Sequence, residues 1–145
     1  MTDRVRTWVV DASVAAKWFV PETDSDRAAR LVSPFLRLIA PDLLYAELGS
    51  VFLKRMTRGD ITEADCAAAI RNLEFMTVTT EPMATLTKDA YRIARDTRRS
   101  FYDCLYLALA TSHKTQLITE DQRLCNALHG TPYAKLVVRL EAVAA

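Results

Sequence analysis

The sequence predicts an α/β fold: one domain with a central parallel sheet and helices on both faces. Two observations predict it. Short apolar runs that end at an acid, as in TWVVD and LITED, alternate with longer stretches of helical periodicity. Repeated β-α units of this kind imply a parallel sheet covered on both sides. The chain has 145 residues, 50% hydrophobic and 26% charged, with only three glycines and five prolines. That is long enough to bury a core without staples, and too poor in Gly and Pro for a linker. One domain spanning 1–145 is therefore expected.

The elements follow in order. Residues 7–10 form a short apolar run ending at Asp11, which suits a buried parallel strand. Residues 12–19 and 25–35 read as helices, and 36–40 as the next strand. Pro41 then opens a long helix, because proline is tolerated in a first helical turn. Leu44, Leu48, Val51 and Phe52 mark its apolar face, and Gly59 stops it. Thr62 and Asp65 begin another helix in the manner of a capping box, with Asp for the usual Glu. Residues 77–80 are rich in threonine and strand-like. Pro82 restarts a helix that runs to Arg98, and 102–113 is a strongly apolar helix. A strand at 116–119, a helix at 121–128 and a last strand at 135–140 complete the pattern.

Composition excludes several classes. The net charge of +1 gives no general basic footprint, so any nucleic-acid contact is local. Cys66, Cys104 and Cys125 form an odd set without a CxxC, which suggests neither a disulfide framework nor a thiolate zinc site. No run approaches the roughly 20 apolar residues of a membrane span, and the N-terminus has no signal-like run. A cytoplasmic protein with no membrane contact is the expectation.

Four acids in four different segments carry the chemistry: Asp11, Glu47, Asp103 and Asp121. Each has a structural explanation. Asp11 can cap the helix after it, with Ser13 assisting. Asp103 lies three residues after Ser100, a capping-box spacing. Thr119 can cap the last helix, leaving Asp121 as a first-turn acid. A solvated Glu47 can sit at the edge of the long helix's stripe. The combination points further. Asp11 and Asp121 both follow the carboxyl end of a strand, where open α/β sheets place their ligand crevice. Carboxylates gathered there repel one another, and a hard dication such as Mg²⁺ or Mn²⁺ takes oxygen ligands and relieves that repulsion. A metal held by carboxylates points to phosphate chemistry. Arg98 and Arg99, just before the Asp103 helix, are candidates to meet phosphates. Trp18 and Tyr102 can stack on a base, packing being the plainer role for Trp18. His113 and His129 read as helix-end residues.

VVDASVAAKWF, APDLLYAELGSVF, SFYDCLYLALA and LITEDQRLCNAL together resemble the PIN-domain family. More narrowly, they resemble the VapC toxins of bacterial type II toxin–antitoxin pairs. The resemblance covers about residues 7–140, with the acids in the family's order. It implies a metal-dependent endoribonuclease using Mg²⁺ or Mn²⁺, with Asp11 and Asp103 as direct ligands. Glu47 and Asp121 then ligate, hold metal-associated water or serve a second ion. Thr119 and Ser13 match supporting positions. The resemblance also implies a homodimer, an RNA substrate and a small cognate antitoxin. Two departures stand out: Ser50 where many relatives carry asparagine, and Glu120 at a position that is usually small.

Two rivals remain open. A metal-dependent phosphatase with Asp11 as nucleophile would normally carry a second aspartate two residues on, where this chain has Ser13. A non-catalytic PIN-like scaffold would be expected to have lost some of the acids.

Overall fold

The protein was analysed as a computed structural model that describes residues 5–143. The outermost residues of the expected 1–145 domain lie outside the described residues. Five strands form one sheet: β1 (Arg6–Val10), β2 (Leu36–Pro41), β3 (Thr79–Glu81), β4 (Leu117–Thr119) and β5 (Val137–Arg139). Their order is β3-β2-β1-β4-β5, and every pairing is parallel. The chain moves outward from β1 to β3, then returns to lay β4 on the other side of β1. Right-handed crossovers taken in opposite directions put the connecting helices on opposite faces. The point of reversal, between β1 and β4, opens a crevice at the carboxyl ends of the strands.

Among the described residues seven α-helices flank the sheet: α1 (Ala12–Ala15), α2 (Ser25–Ala29), α3 (Leu43–Thr57), α4 (Glu63–Asn72), α5 (Thr87–Thr97), α6 (Phe101–Ser112) and α7 (Gln122–Leu128). Val9 and Val10 of β1 and Ile39 of β2 are fully buried, as are Leu44, Leu48 and Phe52 of α3. Helix α6 buries every residue from Cys104 to Ala110, so it reads as apolar all round rather than on one stripe.

Local chemistry sets the boundaries. Helix α3 ends in a Schellman motif: Gly59 N donates to Met56 O and Asp60 N to Arg55 O, with Gly59 at φ +83°. The capping box of α4 is present in both directions between Thr62 and Asp65. The three cysteines are free. No helix among the described residues is long and apolar enough to cross a membrane.

Four expectations need correction. The helix expected over 25–35 stops at Ala29, since Ser33 precedes Pro34 and the residue before a proline avoids the α region. Pro41 closes β2 instead of opening α3. Its fixed φ also suits extended backbone, and the next donor, Asp42 N, bonds Glu81 O. The helix after Pro82 begins as a 3₁₀ turn, Met83–Leu86, before α5. The last strand is only Val137–Arg139, preceded by a 3₁₀ turn.

Candidate active site

The reversal of strand order puts Asp11, at the end of β1, beside Asp121, just past β4. Helix α3 brings Glu47 and helix α6 brings Asp103. All four acids line one cavity of about 190 Å³, together with Ser13, Tyr106 and Leu117. The four acids expected from the sequence are thus brought together.

Asp11 caps α1 and is held from several sides. Its Oδ1 accepts from Ser13 N at 3.0 Å, from Ser13 Oγ at 2.5 Å and from Val14 N at 3.3 Å. Its Oδ2 accepts from Thr119 Oγ1 at 2.5 Å. Thr119 is fully buried, and its oxygen in turn accepts from Asp121 N at 3.0 Å. Ser13 Oγ likewise accepts from Glu120 N at 2.9 Å. One hydroxyl relay therefore ties the end of β1 to the turn after β4. Burial raises the Asp11 carboxyl to about 6 despite these bonds, and the Glu47 charge adds to the rise.

Thr119 is not the cap of α7. Asp121 is the cap, and its Oδ1 accepts from Leu124 N at 3.2 Å; Thr119 is engaged with Asp11. Asp103 is left free by its own helix end: Ser100 Oγ accepts from Asp103 N at 3.1 Å, and the reverse bond of a capping box is not formed. Burial and the charge of Asp121 raise the Asp103 carboxyl, while Arg99 works against the rise. Burial likewise raises Glu47, with a contribution from the charge of Asp103. The acids therefore feel one another in pairs around the cavity.

Tyr106 was not among the residues expected at the site. Its hydroxyl donates to Glu47 Oε1 at 2.5 Å. Burial and the nearby Glu47 carboxylate push its own ionisation far above the ordinary range, so it remains a donor. The signal was in the sequence: Tyr106 lies three residues after Asp103, on the same face of α6.

The two arginines separate. Arg98 takes the left-handed conformation, φ 57°, at the end of α5 and is exposed. Arg99 turns inward, with Nη2 3.7 Å from Asp103 Oδ2 and a buried Nε that has no protein partner. Ser50 is exposed and does not line the cavity. Glu120 is paired with Arg139 at 3.6 Å and does not line the cavity. Trp18 donates Nε1–H to Ala28 O at 2.7 Å and packs against the core. Tyr102 is exposed. His113 and His129 cap the ends of α6 and α7.

The cavity's ligating groups are all carboxylates; no imidazole or thiol lines it. This donor set fits a hard dication. Among the described residues no three such side chains stand close enough to form a ligand set as they are.

The PIN domain profile matches residues 8–128. The chain belongs to the PIN-domain family, in its VapC branch. It is 33% identical to Ribonuclease VapC3 of Pyrobaculum aerophilum, over 80% of this chain and 90% of that protein. The crystal structure of Mycobacterium tuberculosis VapC20, a toxin that cleaves the sarcin–ricin loop, superposes with a TM-score of 0.62 at 20% identity, covering 88% of this chain and 98% of that one. A toxin–antitoxin complex from Klebsiella pneumoniae gives a TM-score of 0.58 at 16% identity, with 91% and 96% covered. These two likenesses are of fold.

Proposed function

We propose that the protein is a metal-dependent endoribonuclease and the toxin of a type II toxin–antitoxin pair, acting in the cytoplasm. The observation that carries this reading is the delivery of Asp11, Glu47, Asp103 and Asp121 by four elements into one cavity at the reversal point of the sheet. Kinship with VapC ribonucleases supports the substrate class.

Asp11 and Asp103 are the residues proposed to hold Mg²⁺ or Mn²⁺. Glu47 and Asp121 complete the set directly or through water. Such an ion, when bound, lowers the pKa of a coordinated water and neutralises charge on a phosphodiester. The chain's own residues position the rest. Ser13 and Thr119 fix the Asp11 carboxylate through both oxygens. Tyr106 fixes Glu47. Arg99, whose partly exposed guanidinium stands beside Asp103, is the cation nearest the acids to receive a phosphate oxygen, a charge-assisted bond of the strong kind. The intact set of four acids and Ser13 at the second position disfavour the scaffold and phosphatase alternatives.

The partners follow the same reading: an RNA substrate, a second copy and a small antitoxin. Leu53 on α3, Ile70 on α4 and Phe75 just after it are exposed apolar residues. They make this helical pair the candidate homodimer face. The carboxylate-lined cavity suits an arginine from an antitoxin tail.

The test is expression in cells without the neighbouring gene. Growth should arrest, and sequencing the 5′ ends of RNA fragments should give discrete cut sites. Co-expression of a small antitoxin from the adjacent reading frame should relieve the arrest. Light scattering at micromolar concentration should give a dimer. A monomer together with uninterrupted growth would overturn the toxin assignment.

A further inference from the structure

At the opposite end of the sheet lies a second concavity. The start of β1, the turn from α6 to β4 and the approach to β5 enclose an open groove of about 810 Å³. Arg6, His113, Lys114 and Lys135 line it, and among the described residues no Asp or Glu does. His113 is held by Glu81, Nε2 to Oε1 at 2.5 Å. Arg6, Lys114 and Lys135 are exposed and make no ion pair among the described residues.

Local structure fixes the Arg6 side chain and the backbone at the two lysines. The Arg6 guanidinium lies 4.6 Å from the centre of the Trp8 ring, a cation–π contact that keeps it over the groove floor. Gln116 Nε2 donates to Lys135 O at 2.9 Å, tying the wall before β5 to the entry of β4. Lys114 follows the last turn of α6 in the left-handed conformation, φ 53°. A cation at that helix end suits the dipole. Arg6 and Lys135 come from two other elements, so the dipole does not account for the convergence.

We propose that this groove is a second docking surface that binds the sugar–phosphate backbone of single-stranded RNA, remote from the acid cavity. The choice of RNA over other polyanions rests on the ribonuclease reading above. The charge distribution supports it. The net charge is only +1, so affinity for a polyanion must come from a local patch. The acid cavity supplies little, since its four carboxylates repel phosphate and only Arg99 stands beside them. Helix α6 connects the two places, with Asp103 at the cavity and His113 at the groove. Ten residues at about 1.5 Å each separate them by about 15 Å. Because α6 is buried between them, an RNA that engages both must pass around the surface, a path longer than the helix itself.

The test is fluorescence-anisotropy titration of the full chain with a labelled random-sequence RNA 20-mer, in EDTA so that no cleavage enters. Three phosphate contacts on a single strand give a salt slope of roughly two log units per decade. Between 50 and 200 mM salt that is an affinity loss of about fifteen-fold. The triple variant Arg6→Gln/Lys114→Gln/Lys135→Gln should lose that slope and bind weakly at 50 mM, with an unchanged circular dichroism spectrum. Lys135→Gln alone should reduce the slope by about 0.7, which keeps the test decisive if the triple variant misfolds. Poly-glutamate of equal length should compete poorly. A folded variant with wild-type affinity and slope would overturn the proposal, as would poly-glutamate competing as well as RNA, which would mark an acidic protein as the partner. Binding is read without cleavage, so failure of the ribonuclease reading would appear separately.

Discussion

The Tyr106 hydroxyl of α6 donates to Glu47 Oε1 of α3 across the cavity at 2.5 Å. This bond joins the two helices that bring Glu47 and Asp103 together, and it orients a carboxylate that is half-buried. Removing it by Tyr106→Phe leaves Glu47 without its protein donor. A hydrogen bond of this kind is worth about 1 kcal/mol, so the fold should survive. RNA cleavage should fall about ten-fold and recover partly at higher Mn²⁺, because loss of the bond loosens a group proposed to serve the ion. Unchanged cleavage across a Mn²⁺ titration would remove Tyr106 from the site.

Asp11 gives a pH prediction for the metal-free protein. Burial raises its folded carboxyl to about 6, above the ordinary unfolded value near 3.9. A raised acid stabilises the fold below the unfolded value, and that contribution is lost as pH rises through about 6. Glu47 and Asp103 shift in the same direction, while the exposed Asp96 shifts the opposite way. The difference between wild type and Asp11→Asn isolates the one group. Melting in EDTA from pH 4 to pH 7 should show wild type losing roughly 2 kcal/mol relative to Asp11→Asn, most of the two-unit shift. Parallel curves for the two proteins would show that Asp11 is not held at raised pKa.

Adding the ion should reverse that penalty. A ligand that binds only the folded state stabilises it by about 2.7 kcal/mol at one hundred times its dissociation constant. Mn²⁺ should therefore raise the melting temperature of wild type at pH 7 and leave that of Asp11→Asn nearly unmoved. Equal shifts in both proteins would place the ion elsewhere.

Arg99 and Arg98 should behave differently, although they are neighbours. Arg99 reaches Asp103 and Arg98 faces solvent. Arg99→Gln should weaken RNA binding and reduce its salt slope by about 0.7, the share of one phosphate on a single strand. Arg98→Gln should change the slope little. Titrations showing the reverse order would mean that the inward turn of Arg99 is not the RNA-facing one.

The acids were legible in the sequence because each sits at a signal that local chemistry writes there. Asp11 and Asp121 follow apolar strands, Asp103 follows a capping serine, and Glu47 lies on the flank of an apolar stripe. Tyr106 was not legible as a partner of Glu47, since that depends on how α6 crosses α3, which periodicity does not carry. The division between Arg98 and Arg99 depends on one left-handed residue that a non-glycine sequence position does not announce. Pro41 and the short α2 misled for a related reason. A proline fits both a strand end and a helix start, and only its neighbours decide. The sheet order had to come from the structure, and that order makes Asp11 and Asp121 neighbours.

The central claim is that these four carboxylates serve a metal that cuts RNA. The most direct measurement is cleavage of a mixed RNA pool by purified protein with Mg²⁺ or Mn²⁺, with EDTA in excess, and with Asp103→Asn in place of wild type. The account predicts fragments only for wild type with metal. Full cleavage in excess EDTA, or by Asp103→Asn, would contradict it.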